Sequence, residues 1–141
     1  MTNRQMAEIV RQQNPLTLPR TASLQQACRA MHERRVGAVL VTDSKGKLVG
    51  IFTGRDAVRA LAQARDPAET QLKDVMSKSP TTIGPARKAI DALRIMQDCG
   101  FRHLPVVDDA GRLVGIVSRG DFRGLELDRL DEETGYWERI A

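Results

Sequence analysis

Apolar residues along the chain fall into short runs whose spacing switches between helical and extended. Met6, Ile9 and Val10 share one face of a lead-in helix predicted over residues 3–12, which Pro15 stops. Residues 16–18 make a brief extended segment. Thr21 or Ser23 can cap the next helix, in which Leu24, Ala27, Cys28 and Met31 recur at i, i+3, i+4 and i+7 and predict one buried face. Residues 38–41 are an apolar run of strand length, residues 43–46 a turn with a glycine for the left-handed position, and residues 48–52 a second apolar strand. Strands with so little alternation predict burial on both faces, as in a sheet covered by helices. From Thr53 the pattern predicts a helix to about Arg65 with Val58 and Leu61 on its inner face, broken by Asp66 and Pro67.

The programme then runs again. Leu72, Val75 and Met76 form a lead-in turn, residues 80–83 an extended segment, and Gly84 with Pro85 a helix start with proline at a permitted first position. Ala89, Ala92, Leu93 and Met96 match the apolar positions of the first helix. Residues 104–107, the turn 108–111 and residues 113–117 form a hairpin, and a last helix begins near Arg119. At a shift of 65 without a gap, positions 15–61 and 80–126 share thirteen identities in 47 pairs, clustered on turn, strand and cap. The prediction is an α/β (α+β) chain of two β-α-β-β-α repeats forming a pseudo-twofold pair, since a half of about 60 residues makes a thin core alone. The divisions read as 1–66, 67–126 and a tail, 127–141.

The most specific stretch occurs once in each repeat: Gly50, Thr53 and Asp56, then Gly115, Ser118 and Asp121. Each copy is a strand feeding a helix N-terminus, with a hydroxyl and a carboxylate three positions apart. Unpaired N–H groups and a partial positive charge at such an end suit an anionic ligand, and the carboxylate accepts hydrogen bonds from paired hydroxyls. The same residues also satisfy the description of a capping box, in which the two side chains serve only the helix's own N–H groups.

Composition narrows the class. Hydrophobic residues at 41% with 28% charged describe a globular chain, and 4% aromatics mean an aliphatic core. No apolar run approaches the roughly 20 residues that span a bilayer, and the polar start, residues 1–5, lacks the apolar region of a secretory signal. A cytoplasmic location without a membrane partner is expected. Cys28 reads as a core residue and Cys99 as a helix-end residue, with no second ligand at zinc spacing. The histidines are His32 and His103 alone, no nucleophile stands beside a base, and the repeats consume the chain, so no enzyme is expected.

Charge is uneven. From Asp121 onward seven acidic residues face three arginines, a local −4, so the first 120 residues carry +8 of the net +4. A basic body suits phosphate-bearing ligands. No aromatic-rich basic strand stacks bases, which makes nucleic acid the weaker partner. The tail holds Tyr136 and Trp137, and a disordered terminus avoids aromatics. The last helix is therefore expected to continue past Leu130, with Trp137 anchoring the tail at a subunit interface.

The order of elements, the pair VGAVLVTDSKGKLVGIFTGRD and FRHLPVVDDAGRLVGIVSRGD, and the lead-in DVMSKSPTTI resemble tandem CBS domains, named after cystathionine β-synthase, over residues 6 to about 125. The resemblance implies a regulatory module with two clefts between the repeats that take adenosine-containing ligands of the AMP, ADP, ATP, S-adenosylmethionine or NAD type, with no cofactor required. It implies that Asp56 and Asp121 accept from ribose hydroxyls, that Thr53 and Ser118 bond a phosphate or ribose oxygen, and that the backbone of Thr17, Leu18, Thr82 and Ile83 reads the adenine edge. The family's strand proline is kept as Pro105 but replaced by Leu40 in the first repeat. Arg102 and His103 beside Pro105, and Arg55 and Arg119 inside the motifs, are candidates for phosphate. For Arg102 the alternative is a solvated surface residue, and for His103 a hydrogen-bonded structural one. The clefts are expected to be unequal, with that of Asp121 the tighter. The resemblance also implies a homodimer through helix positions such as Val58, Leu61 and Leu125, and a regulated protein partner that the sequence does not identify. A scaffold that binds no nucleotide is the competing reading.

Overall fold

The computed structural model describes residues 4–122. In chain order the elements are α1 (Met6–Ile9), β1 (Thr17–Leu18), α2 (Leu24–Arg34), β2 (Ala38–Thr42), β3 (Leu48–Thr53), α3 (Gly54–Ala62), α4 (Leu72–Val75), β4 (Ser77–Lys78), α5 (Ala89–Cys99), β5 (His103–Val107), β6 (Leu113–Ser118) and a 3₁₀ turn, Arg119–Asp121. They build two compact units: residues 14–81 with 109–113, and residues 82–108 and 114–122 with 4–13.

In the first of these, β1 runs parallel to β2, and β2 and β4 flank β3 antiparallel, giving the order β1-β2-β3-β4. Val39, Val41 and Phe52 are buried against Leu24 and Ala27 of α2, Ala60 of α3 and Leu72 of α4. Ser23 caps α2: its Oγ accepts the Gln26 N–H at 3.0 Å while Gln26 Oε1 accepts the Ser23 N–H at 2.8 Å. In the other unit β5 pairs with β6, and Ile83 bridges parallel to Val106. Leu93, Met96, Leu104, Val106 and Val117 close that core together with Met6 and Val10.

Lead-in segments are thus exchanged relative to the repeats. Met6 and Val10, which precede the first repeat, pack on the second, and Leu72 and Val75, which precede the second, pack on the first. The motif glycines make room for this. A Cβ on Gly50 would stand 2.5 Å from Met76 Sδ, and one on Gly115 would stand 2.6 Å from Val10 Cβ. Within the unit of residues 14–81 and 109–113 the two hairpin turns join reciprocally, Leu48 N–H to the Gly111 carbonyl at 3.1 Å and Leu113 N–H to the Gly46 carbonyl at 3.0 Å.

Four elements differ from their sequence patterns. The lead-in helix is confined to Met6–Ile9, because residues 4–7 are tied to 85–89 by backbone bonds, Met6 N–H to the Arg87 carbonyl and Ala7 N–H to the Pro85 carbonyl. That tie also prevents a helix from starting at Pro85. Residues 84–87 form a turn, and α5 begins at Ala89 with Asp91 Oδ2 accepting the Lys88 N–H at 3.1 Å. α3 ends at Ala62, and its inner face is Asp56, Ala57 and Ala60. Val58 and Leu61 are 68% and 77% exposed, on the outer face rather than the inner one. At the last position the described structure holds one 3₁₀ turn followed by Phe122 in extended conformation. Leu125, Leu130, Tyr136 and Trp137 lie outside the described residues.

Candidate functional site

Thr53 closes β3 in extended conformation, and the first N–H of α3, that of Gly54, donates to the Gly37 carbonyl at 3.3 Å. Asp56, three residues on, turns back: its Oδ2 accepts the Thr53 N–H at 3.0 Å and the Thr53 hydroxyl at 3.3 Å. Its Oδ1 faces Arg59 Nη1 at 3.5 Å, and the residue is 4% exposed. The carboxylate of the first repeat is therefore fully engaged within its own helix.

Ser118 closes β6 in the same conformation, and Asp121 Oδ2 accepts its N–H at 2.7 Å and its hydroxyl at 3.3 Å. Here the residue is exposed, and Oδ1 has no partner among the described residues. The position that matches Arg59 is Gly124, which has no side chain to offer. His103 on β5 is half-buried. Burial pushes its pKa below the ordinary 6.5, the Arg102 guanidinium lowers it further, and the Asp121 carboxylate pulls the other way. The imidazole is accordingly neutral at pH 7. Arg102 and Arg119 are exposed, as is Arg55 in the first repeat.

The strands ahead of each motif differ by one hydrogen bond. Leu40 N–H donates to the Leu16 carbonyl at 2.9 Å. Pro105 stands at the matching position, fully buried and without an N–H, so the Thr81 carbonyl has no partner among the described residues. Ile83 donates to the Pro105 carbonyl and accepts from Val107 N–H, both at 3.0 Å, which consumes both of its backbone groups. The backbone left open in that segment is that of Thr81 and Thr82. Thr17 is exposed, while Leu18 packs on the core of its unit. Pro105, His103, Arg102, Ser118, Arg119, Asp121, Thr82 and Ile83 thus share one compact unit, and Thr17, Leu18, Thr53, Arg55 and Asp56 share the other.

Two residues at the second motif escaped the sequence reading. Arg4 Nη2 donates to the Asp121 carbonyl at 3.0 Å. Gln13 spreads its side-chain amide across Ile116, Nε2 to the carbonyl at 2.7 Å and Oε1 from the N–H at 2.9 Å. Nothing in the sequence links Arg4 to a residue 117 positions away. For Gln13 there was a signal: at the repeat shift it aligns with Lys78 of β4, and β4 pairs Ser77 with Ile51, the counterpart of Ile116. A side-chain amide here replaces a strand. Among the described residues no group of three His, Cys, Asp or Glu is placed to hold a metal, and no helix is long and apolar enough to cross a membrane.

This architecture matches known proteins. The model of the CBS domain family matches residues 6–63 and again 72–128. The Arabidopsis thaliana CBS domain-containing protein CBSCBSPB1 is 40% identical over 103 residues, covering 72% of this chain and 19% of that protein. The protein MK0525 of Methanopyrus kandleri is 36% identical over 97 residues, covering 68% of this chain and 50% of its own length. The chain thus spans half or less of these relatives. Among solved structures, the CBS domain protein PAE2072 from Pyrobaculum aerophilum, complexed with AMP, superimposes with a TM-score of 0.82 at 26% identity, over 91% of this chain and 98% of that one. The CBS domain pair of protein MJ0100, in complex with 5′-methylthioadenosine and S-adenosyl-L-methionine, gives 0.77 at 26% identity over 94% and 98%. With its twofold match to the family model and its mixed α+β fold shared with these pairs, this chain belongs to the CBS-domain family, as two tandem copies of the domain.

Proposed function

We propose that the chain is a regulatory module that senses an adenosine-containing ligand, of the AMP, ADP, ATP, S-adenosylmethionine or NAD type, chiefly through the motif of its second repeat. The observation that carries this reading is the contrast between the two aspartates. Asp121 is exposed, acts electrostatically on a neutral His103 and shares its unit with the exposed Arg102 and Arg119 cations, whereas Asp56 is buried and held by Arg59. A ribose diol needs paired acceptor atoms and a phosphate needs donors and positive charge, and the second repeat has both. The complexes of two similar CBS pairs with AMP and with S-adenosyl-L-methionine support the ligand class. The module needs no cofactor, acts in the cytoplasm on a protein partner, and carries out no reaction of its own.

Titration with each of the five ligand types, read by calorimetry and thermal unfolding, tests this. A ligand at 100 times its dissociation constant adds about 2.7 kcal/mol to the folded state, a rise of several degrees in Tm. No heat and no shift with any of them would remove the reading.

One observation favours a second reading. Both aspartates accept the N–H of their own Ser118 or Thr53 through Oδ2, as helix caps do. If they only cap, the chain is a protein-binding scaffold, and the five titrations will be silent while the fold and its association persist.

A further inference from the structure

Residues 4–13 touch the second motif at both of its ends. At the strand end, the Gln13 amide makes two bonds to the backbone of Ile116, and Val10 fills the space that a Cβ on Gly115 would occupy. At the turn end, the Arg4 guanidinium holds the Asp121 carbonyl. Between these points the segment is itself anchored. The Arg4 carbonyl accepts the Ala89 N–H at 2.8 Å, Met6 N–H reaches the Arg87 carbonyl at 2.8 Å, and Met6 and Val10 are buried. The Arg4 side chain therefore starts from a fixed backbone, so its bond to Asp121 transmits position and does not merely decorate a loose end.

The first repeat solves the same problem differently. Its motif is braced at the strand end by a true strand, β4, and at the turn end by the helix that follows, through Arg59 on Asp56. In the sequence of the second repeat Gly124 aligns with Arg59, and a cation reaches the turn from Arg4, far away in sequence. That substitution changes the chemistry. Arg59 engages the carboxylate, whereas Arg4 engages the backbone carbonyl of the same motif position. A carbonyl bonded to a guanidinium fixes the peptide plane of Asp121, and with it the direction of the side chain that would meet a ribose.

We propose that Arg4 and Gln13 are positioning residues for the second ligand motif, so that docking of residues 4–13 and ligand affinity at Asp121 are linked. This rests on the reading of Asp121 as an adenosine-ligand residue. By linkage the effect is reciprocal: a ligand that binds the clasped motif better must also tighten the clasp. The N-terminal segment then becomes the place where occupancy is read out, or where a partner pulling on it would expel the ligand.

The test uses the full chain with AMP, or whichever of the five ligands the parent binds. Arg4→Met keeps the length of the side chain and removes the donor, and Arg4→Lys restores one. The expectation is that Arg4→Met weakens binding roughly tenfold, the scale of a lost charge-assisted hydrogen bond, with a melting temperature close to the parent's, and that Arg4→Lys recovers most of it. Gln13→Leu should weaken binding likewise, with some loss of stability. An independent readout is hydrogen exchange: ligand should slow exchange of the amides in residues 4–13 as well as those of 116–121. Parental affinity in Arg4→Met, or ligand protection confined to 116–121, overturns the proposal while leaving the ligand reading intact. A parent chain that binds none of the five fails at the earlier step, and the linkage fails with it.

Discussion

Arg59 Nη1 lies 3.5 Å from Asp56 Oδ1, and the carboxylate it faces is 4% exposed although the arginine itself is 59% exposed. The pair is weak as an ion pair, because one partner remains in water. It occupies the oxygen that, under the proposed function, a ribose hydroxyl would use. The matching oxygen of Asp121 has no such neighbour among the described residues.

Changing each aspartate should therefore separate ligand binding from helix capping. Asp121→Ala is expected to weaken ribose-containing ligands roughly a hundredfold at a cost in stability of about 1 kcal/mol, the value of a cap. Asp56→Ala should cost stability by about 1–2 kcal/mol, since a buried N–H acceptor is lost, and change affinity little. Calorimetry beside urea denaturation measures both, and equal affinities for Asp121→Ala and parent would assign that carboxylate to capping alone.

The motif glycines predict an order of damage. Gly50→Ala would press on Met76 Sδ at 2.5 Å, the movable end of a side chain, although the Ser77 carbonyl follows at 3.0 Å. Gly115→Ala would press on Val10 Cβ at 2.6 Å, which is fixed to a buried backbone. Overpacking of this kind costs roughly 1–3 kcal/mol, and Gly115→Ala should be the costlier. Urea midpoints in the opposite order would mean that the lead-in, and not Met76, is the part that yields.

α2 and α5 end alike, on a residue in the left-handed region, but one uses glycine and the other does not. Gly100 has φ 71°, and Arg35 has φ 55°. A side chain there crowds its own carbonyl. Arg35→Gly is expected to stabilise the chain by about 0.5 kcal/mol, the conformational relief exceeding the extra freedom of the unfolded glycine. A lower denaturation midpoint would show that the Arg35 side chain contributes more than its backbone costs.

His103 should give stability a slope with pH. Its folded pKa lies below the ordinary 6.5 because burial, helped by Arg102, disfavours the charged ring against the pull of Asp121. The unfolded chain then binds the proton more readily, so the contribution is complete above the unfolded pKa and is lost as pH falls through it toward the folded value. Stability should drop as pH falls below the ordinary 6.5, and His103→Gln should flatten that part of the curve. An unchanged slope in the variant would assign it to other groups.

Val58 and Leu61, one helical turn apart, expose 68% and 77% of their surface on α3. We expect them to lie at the interface of a homodimer, with Leu61→Glu converting the dimer to a monomer of unchanged circular dichroism. Light scattering at micromolar concentration decides, and a monomeric parent ends the expectation.

Much of this was legible in the chain itself. The 65-residue repeat determined two copies of one α+β programme, because identities placed on a turn glycine, an apolar strand and a cap admit few other folds. Apolar spacing located the inner face of α2 and α5, and the alignment of Pro105 with Leu40 already marked the two motifs as unequal. Periodicity failed on α3, where Val58 and Leu61 read as core. The helix turns small residues inward, Ala57 and Ala60, and carries its apolar bulk outside, a choice that pattern alone does not register. It failed again at Pro85, since a local helix-start signal competes with backbone bonds to residues 6 and 7, which are distant in sequence. The exchange of lead-ins, the Gln13 amide standing in for a strand, and the Arg4 bond to Asp121 were settled by tertiary structure. Each joins groups far apart in sequence, up to 117 positions for Arg4 and Asp121, and such a contact is selected by the packing of a whole unit and leaves no local periodicity to read.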